Sequence, residues 1–392
     1  MPASTDPLAL PRVPPPALPG HRRRDMVACA LFVVAITAMG IGAFRPRIDE
    51  GLEAENRTMS PWPKFAWSRD YAAAFERAFA DRVGGRATLL RLYNRSLLRV
   101  LGVSPAHDVL LGRDGWLYFL GEDATAFDRY YRGTPEVSAA ELGRVLAELR
   151  RRDRWLASMR IPFIVTIAPD KATIYPEHLP RWATPSRRPT PLARLVDAIR
   201  ADGSLSFVDL RGPLMAAKAH AQVYYRTDSH WNLLGAAVAY REIMRSVGDA
   251  LGPKAAPVAP AAIPPYVPGL DVYRGDLARM TGDPEPLGEP DYAPLGKVLA
   301  TPQSRCGQRI DAGADVGFEW YSCRRPGLPR AVVYRDSMAI PLIPLLSENF
   351  SRVAYVSSQR IDPAFIAREL PDVVIEEMVE RALLAPAATP MP

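Results

Sequence analysis

Ala331-Val332-Val333-Tyr334-Arg335-Asp336-Ser337-Met338-Ala339-Ile340 opens on a short apolar, β-branched run and passes straight into residues of helical pattern. A run of this kind bounded by a turn is a buried strand, so Ser337 falls on a strand-to-helix turn. Such a turn exposes a hydroxyl at the carboxyl end of a strand and sets backbone N–H groups beside it. Pro341 is tolerated in a first helical turn, whereas Pro344 predicts a kink.

The same alternation extends in both directions. Downstream, a strand over 353–356, a helix over 363–370 and a strand over 372–375 are expected. Upstream, a helix over 142–159, whose Arg150 to Arg154 run suits a solvated face, precedes Phe163-Ile164-Val165-Thr166-Ile167-Ala168, apolar enough for a buried parallel strand. A helix over 192–200 then leads to a strand over 205–210. Strands alternating with helices call for a parallel sheet covered on both faces, an α/β fold. Ligands of such sheets bind beyond the carboxyl ends of the strands, where Ser337 lies. The rhythm fails over 252–329, where Pro and Gly are dense, and that stretch is expected to be a long excursion with small strands.

Tyr224-Tyr225-Arg226-Thr227-Asp228-Ser229-His230-Trp231-Asn232 supplies what Ser337 lacks. Asp228, His230 and Ser337 are the three side chains needed to make a hydroxyl nucleophilic. Residues two apart share a side of an extended chain but not of a helix, so an extended stretch is expected here. Leu233, Leu234, Ala237, Val238, Tyr240 and Ile243 then recur at helical spacing, with Asp228 or Ser229 as candidate cap. Taken singly, Asp228 and Ser337 are ordinary helix caps; only their combination with His230 points to chemistry. No third ligand stands near the D-x-H pair at metal spacing, so no metal and no cofactor are expected.

The 392 residues suffice for two or three domains with a sizeable core, and much of the net charge of +6 is arginine near the N-terminus. No basic repeat with interleaved aromatics and no zinc-finger spacing occurs, which argues against nucleic-acid binding. Residues 1–25 read as a disordered cytoplasmic leader ending in Arg22-Arg23-Arg24-Asp25, and 26–44 as an apolar run close to the ~20 residues that cross a bilayer. The arginine cluster before it outweighs Arg45 and Arg47 after it, predicting a single-pass anchor with the remainder outside the cell membrane. A helical lead-in and hairpin are expected over 45–136, the catalytic domain over 137–385 and a tail over 386–392. Within the lead-in, two apolar runs around Gly112-Arg113-Asp114-Gly115 make the hairpin. Cys29 lies in the anchor, leaving Cys306 and Cys323 as a candidate structural disulfide in an oxidising compartment.

Gly112-Arg113-Asp114-Gly115-Trp116-Leu117-Tyr118, Pro169-Asp170-Lys171 with Ile174-Tyr175-Pro176-Glu177, Thr227-Asp228-Ser229-His230-Trp231-Asn232, Tyr334-Arg335-Asp336-Ser337 and Pro371-Asp372-Val373-Val374-Ile375-Glu376-Glu377 occur in that order. Together they resemble the alginate O-acetyltransferase AlgJ/AlgX family, an SGNH-hydrolase-like group, from about Glu55 through Glu377. The resemblance implies an exported α/β/α sandwich with a parallel sheet, moving acetyl groups onto hydroxyls of a secreted polysaccharide. It also implies a partner, a membrane-bound O-acyltransferase delivering the acetyl donor, and a catalytic domain facing the periplasm from the inner membrane. By the same motifs Ser337 would be nucleophile, His230 general base and Asp228 its orienting carboxylate, with an acetyl-serine intermediate. Backbone N–H groups near Ser337, and Lys171, Arg335 or Tyr175, would support the oxyanion or bind substrate. The D-x-H pair precedes the serine, as in this family and unlike ordinary SGNH esterases. Met338 departs from the aromatic that more often follows the serine. Because the chain stops at Pro392, it is expected to be closer to the membrane-anchored AlgJ type than to members with a carbohydrate-binding domain. Two rivals share these residues: an esterase or deacetylase using water as acceptor, and a non-catalytic scaffold of an acetylation complex.

Overall fold

The computed structural model describes residues 22–42, 59–82, 86–121, 127–183, 189–252, 268–292, 308–310, 317–324 and 327–384. Of the expected leader 1–25, residues 1–21 lie outside them, as does the expected tail 386–392, whereas Arg22-Arg23-Arg24-Asp25 are helical and not disordered. The chain divides into two compact units, Met1–Leu90 and Arg91–Pro392.

In the first unit a helix spans Arg22–Gly42 over the apolar run. Among the described residues no helix is long and apolar enough to cross a membrane. Arg22-Arg23-Arg24-Asp25 occupy its first turn. The helix Arg69–Arg82 follows. Its Tyr71, Phe75 and Phe79 rings pack in succession 6.1 and 6.2 Å apart, as their helical spacing dictates.

The second unit is built on a seven-stranded sheet. Its strands, numbered in chain order after the hairpin β1 (Val109–Leu111) and β2 (Leu117–Phe119), are β3 (Phe163–Ala168), β4 (Ser206–Asp209), β7 (Gln308–Ile310), β8 (Phe318–Ser322), β9 (Arg330–Tyr334), β10 (Arg352–Val356) and β11 (Val373–Val379). A separate antiparallel pair, β5 (Pro268–Tyr273) and β6 (Glu289–Tyr292), comes from the Pro/Gly-rich excursion. The order across the large sheet is β4-β3-β11-β9-β10-β8-β7. Strands β4 through β10 in that order pair parallel, but β8 and β7 pair antiparallel, so the sheet is mixed rather than parallel. Antiparallel neighbours need no crossover helix, so no strand-helix rhythm marked them in the sequence.

Alternate side chains feed two cores, as a doubly covered sheet requires. Ile164, Ala331, Val333, Val353 and Ile375 pack beneath the helices Arg211–Lys218 and Leu233–Leu251. Val165, Val332, Ala354 and Val374 pack beneath Ala139–Ser158, Pro191–Asp202 and Pro363–Glu369. The helix Arg211–Lys218 was not anticipated. Strand β11 runs past the expected 375 because its charged end is buried and partnered: Glu376 is ion-paired with Arg152. Arg152 therefore belongs to the core, not to the solvated face assigned to 150–154.

The helix expected after Ser337 is a 3-10 segment, Ser337–Leu342, followed by one α-helical turn, Ile343–Leu346. Pro341 and Pro344 lack the N–H groups a continuous α-helix would use. Cys323 is disulfide-bonded; its expected partner Cys306 lies outside the described residues.

Candidate active site

The strand order sets the place. From β3 the chain moves outward to β4, and from β9 it moves the opposite way to β10, so the carboxyl ends of β3 and β9 flank β11 at a topological switch point. Ser337 is exposed there, one turn past β9. Its presentation is set by Asp336, whose Oδ1 accepts the Met338 N–H at 2.9 Å and whose Oδ2 accepts the Val379 N–H at 2.6 Å. One carboxylate thus ties the serine turn to the end of β11. The Asp336 N–H in turn donates to Glu377 at 3.3 Å, and burial pushes the Glu377 carboxyl well above its usual range.

The Asp228 segment is a tight loop closed by an antiparallel bridge between Tyr224 and Trp231. It is not extended, as the spacing alone had suggested. Asp228 Oδ1 accepts the His230 backbone N–H at 3.0 Å and lies 2.6 Å from His230 Nδ1, so a side-chain-to-backbone turn folds residue 228 onto residue 230. The helix Leu233–Leu251 is capped by Asn232, which accepts the Gly235 N–H at 3.1 Å, leaving Asp228 and Ser229 free of that task. His230 Nε2 lies 2.9 Å from Ser337 Oγ. The three side chains therefore form one continuous relay across 107 residues of sequence separation.

The electrostatics suit that relay. Burial works against the Asp228 charge, but the His230 hydrogen bond and its charge, with donors from Tyr273 and Asp276, hold the carboxyl well below the usual carboxylate range. Burial also works against a charged His230, yet the hydrogen bond to Asp228 and its charge outweigh this and raise the imidazole above the ordinary histidine value. An imidazole so placed presents Nε2 to the Ser337 hydroxyl with Asp228 at its other nitrogen, the arrangement that general-base chemistry requires.

The other sequence candidates sit elsewhere. Lys171 was expected as an oxyanion helper, but it is buried, and its Nζ donates to the backbone carbonyls of Tyr225, Arg226 and Asp228 at 3.1, 2.9 and 2.6 Å. Burial drives this ammonium down to about 7, against the pull of Asp228, Asp276 and Glu289. Arg335 reaches Glu319 and the Asp336 carbonyl, each at 3.4 Å. Tyr175 is buried, stacks on Trp116 with ring centroids 4.2 Å apart, and accepts the Val223 N–H at 2.9 Å. Lys171 and Tyr175 thus brace the backbone of 223–228, and Arg335 bridges the Asp336 carbonyl and Glu319. The Met338 N–H, one of the expected oxyanion donors, is spent on Asp336.

What the sequence did not reveal comes from the excursion. Tyr273 OH donates to Asp228 Oδ2 at 2.5 Å, and the Asp276 N–H donates to the same oxygen at 2.9 Å. Burial and Asp228 both push the Tyr273 hydroxyl up, so it remains a donor. Asp276 accepts the Ser229 N–H at 2.7 Å and lies 3.5 Å from His230 Nδ1. Asp228, His230 and Asp276 offer ligand atoms within 4.8 Å of one another, a spacing a metal could use. His230 Nδ1 and Asp228 already hold each other in the relay, and the Asp276 carboxylate accepts from the Ser229 N–H and hydroxyl, so a cation would compete with these bonds.

Gly275 explains how β5 approaches so closely. A Cβ there would stand 2.3 Å from the Thr227 carbonyl oxygen. Gly275→Ala is therefore expected to cost about 1–3 kcal/mol of stability through backbone overpacking, read as a lower urea midpoint, and to push the Asp228 loop out of register.

An α/β sheet covered on both faces, with a Ser-His-Asp relay above its carboxyl edge, defines an SGNH-hydrolase-like domain. Residues 109–308, just over half of the chain, match the family model described as "SGNH hydrolase-like domain, acetyltransferase AlgX". The chain belongs to that family. The matched span includes Asp228 and His230 and ends before Ser337. The chain is 28% identical over 241 residues to the "Probable alginate O-acetylase AlgJ" of Pseudomonas putida KT2440, covering 59% of this chain and 55% of that protein. To the same-named protein of Pseudomonas aeruginosa PAO1 it is 31% identical over 128 residues, covering 33% of this chain and 30% of that one. The chain thus spans about a third to about half the length of these curated relatives. Among solved structures, the O-acetyltransferase domain of Pseudomonas putida AlgJ is 21% identical, with a TM-score of 0.47, over 71% of this chain and 93% of that one.

Proposed function

We propose that this protein is a polysaccharide O-acetyltransferase working through an acetyl-Ser337 intermediate. The 2.9 Å approach of His230 Nε2 to Ser337 Oγ carries this reading, supported by membership of a family described as acetyltransferase. His230 takes the Ser337 proton as Oγ attacks the donor acetyl carbon, and Asp228 stabilises the imidazolium. The protonated imidazole then returns the proton to the leaving group. A glycan hydroxyl next gives its proton to His230 and attacks the acetyl-serine ester, transferring the acetyl group and regenerating Ser337.

The acceptor in this reading is an exported polysaccharide, and the relatives' names point to alginate-like polymers. The donor acetyl is delivered by a membrane-bound O-acyltransferase, and the domain faces the periplasm from the inner membrane. The orientation rests on the sequence alone, in which the Arg22-Arg23-Arg24 cluster precedes the apolar run 26–44 and outweighs Arg45 and Arg47 after it.

Incubation of the protein with an activated acetyl ester, with and without oligosaccharide, tests the chemistry. The expected results are an acetyl mass increment on the peptide containing Ser337, and acetylated sugar when the acceptor is present. Release of acetate alone at the same rate in both arms would make the protein an esterase.

A further inference from the structure

The loop that carries Asp228 is gripped from two sides by buried side chains of opposite charge. On the carbonyl side, Lys171 Nζ donates to the oxygens of Tyr225, Arg226 and Asp228, with the Trp116 and Tyr118 rings 5.7 and 5.4 Å from the ammonium. On the amide side, Glu289 Oε2 accepts the Arg226 N–H at 3.0 Å, while Oε1 accepts the Thr227 N–H at 2.8 Å and the Thr227 hydroxyl at 2.6 Å. Both side chains are almost completely buried. They come from opposite parts of the chain, one just after β3 and the other at the start of β6. A cation on the carbonyl pole and an anion on the amide pole both favour one orientation of the intervening peptide groups.

We propose that Lys171 and Glu289 are positioning residues that clamp the segment 225–228 and so set Asp228 against His230. Neither touches the reacting atoms. Their effect passes through the Asp228–His230 hydrogen bond, and its consequence for catalysis rests on the acyl-transfer reading above. Three carbonyl acceptors around one nitrogen use all three protons of an ammonium, the form that dominates below the Lys171 value of about 7, so the comparison is made below pH 7; methionine at 171 keeps the volume and loses every bond. Glutamine at 289 keeps the shape but turns one acceptor into a donor facing an N–H group.

The experiment uses the full chain with Lys171→Met, Glu289→Gln and the double variant. Displacing a reacting group by about 1 Å can cost on the order of 100-fold. Each single variant is therefore expected to lower kcat for an acetyl ester by about ten- to a hundredfold, with KM unchanged. The double variant should lose no more than the worse single one, because a loop released from one side no longer profits from the other. An independent readout is the proton shared between His230 Nδ1 and Asp228, whose short charge-assisted bond gives a far-downfield resonance in the wild type. That resonance should disappear or move upfield in the variants. Folded variants that keep both the wild-type kcat and the resonance overturn the clamp. If neither single variant folds, the two residues serve folding rather than positioning, and the proposal is equally overturned. If the wild type shows the resonance but no acetyl-Ser337, the acyl-transfer reading fails by itself, and the clamp is judged on the resonance, whose retention in the variants overturns it.

Discussion

Ser337→Ala is expected to reduce acetyl transfer by on the order of 10⁶-fold, the loss typical when the nucleophile of a serine relay is removed. No other hydroxyl meets His230 Nε2 in the described residues, so the covalent route has no substitute for this oxygen. The variant should fold normally. Ser337 is exposed, and the turn beneath it is held by Asp336 bonds to Met338 and Val379, which alanine leaves intact. Unfolding midpoints should therefore agree to within about 0.5 kcal/mol, while labelled acetyl no longer stays with the protein. A variant retaining a tenth of the wild-type transfer rate would mean that the acetyl group never resides on this serine. Full polysaccharide acetylation in cells carrying Ser337→Ala, set against none in a strain lacking the whole chain, would instead identify a scaffold.

The parts of this site that could be read in the sequence are those written in local patterns. Arg330–Tyr334 and Phe163–Ala168 are apolar runs ended by turns, so their place in a covered sheet, and hence the place of Ser337, followed from periodicity. The D-x-H pair was legible because both residues lie within one loop, although the conformation joining them is a side-chain turn and not an extended strand. Tyr273, Asp276 and Glu289 were hidden because their contacts with the loop span between 45 and 63 residues through a Pro/Gly-rich stretch with no period of its own. Lys171 was visible as a candidate oxyanion support, and only three-dimensional packing shows that backbone carbonyls distant in sequence take up its protons. Glu376 and Glu377 broke the apolar run of β11 for the same reason. Their burial depends on partners 224 and 41 residues away.

Asp228→Asn is expected to lose rate through the tautomer of the imidazole it holds. Asp228 Oδ1 faces both the backbone N–H and Nδ1 of His230 while Oδ2 accepts from Tyr273 and Asp276, so an asparagine whose oxygen stays with Tyr273 and Asp276 turns its NH2 toward His230 and offers the ring a donor. Imidazole then populates the tautomer with its proton on Nε2, facing Ser337, where it cannot act as base. The expected loss in rate is on the order of 10⁴-fold. The pH dependence follows from the same pair. Activity needs neutral His230, so the wild-type rate falls as pH drops through an imidazole value raised above the ordinary ~6.5, and the variant's acidic limb should move to lower pH. Stability takes a different course. The depressed Asp228 carboxyl contributes stability above the unfolded carboxylate value of ~3.9, and the raised His230 contributes fully below ~6.5 and loses its share as pH rises through the folded value. The stability gap between wild type and variant is therefore widest between about pH 4 and 6.5 and shrinks above it. The rate gap is largest at the alkaline end, where wild-type His230 is fully neutral. At pH 8 the share of the gap due to charged His230 is lost and the share due to the Asp228 bonds with Tyr273 and Asp276 remains; a 10⁴-fold difference in acetyl transfer there would mark Asp228 as the residue that orients the base, whereas rates within tenfold of each other would remove it from the relay.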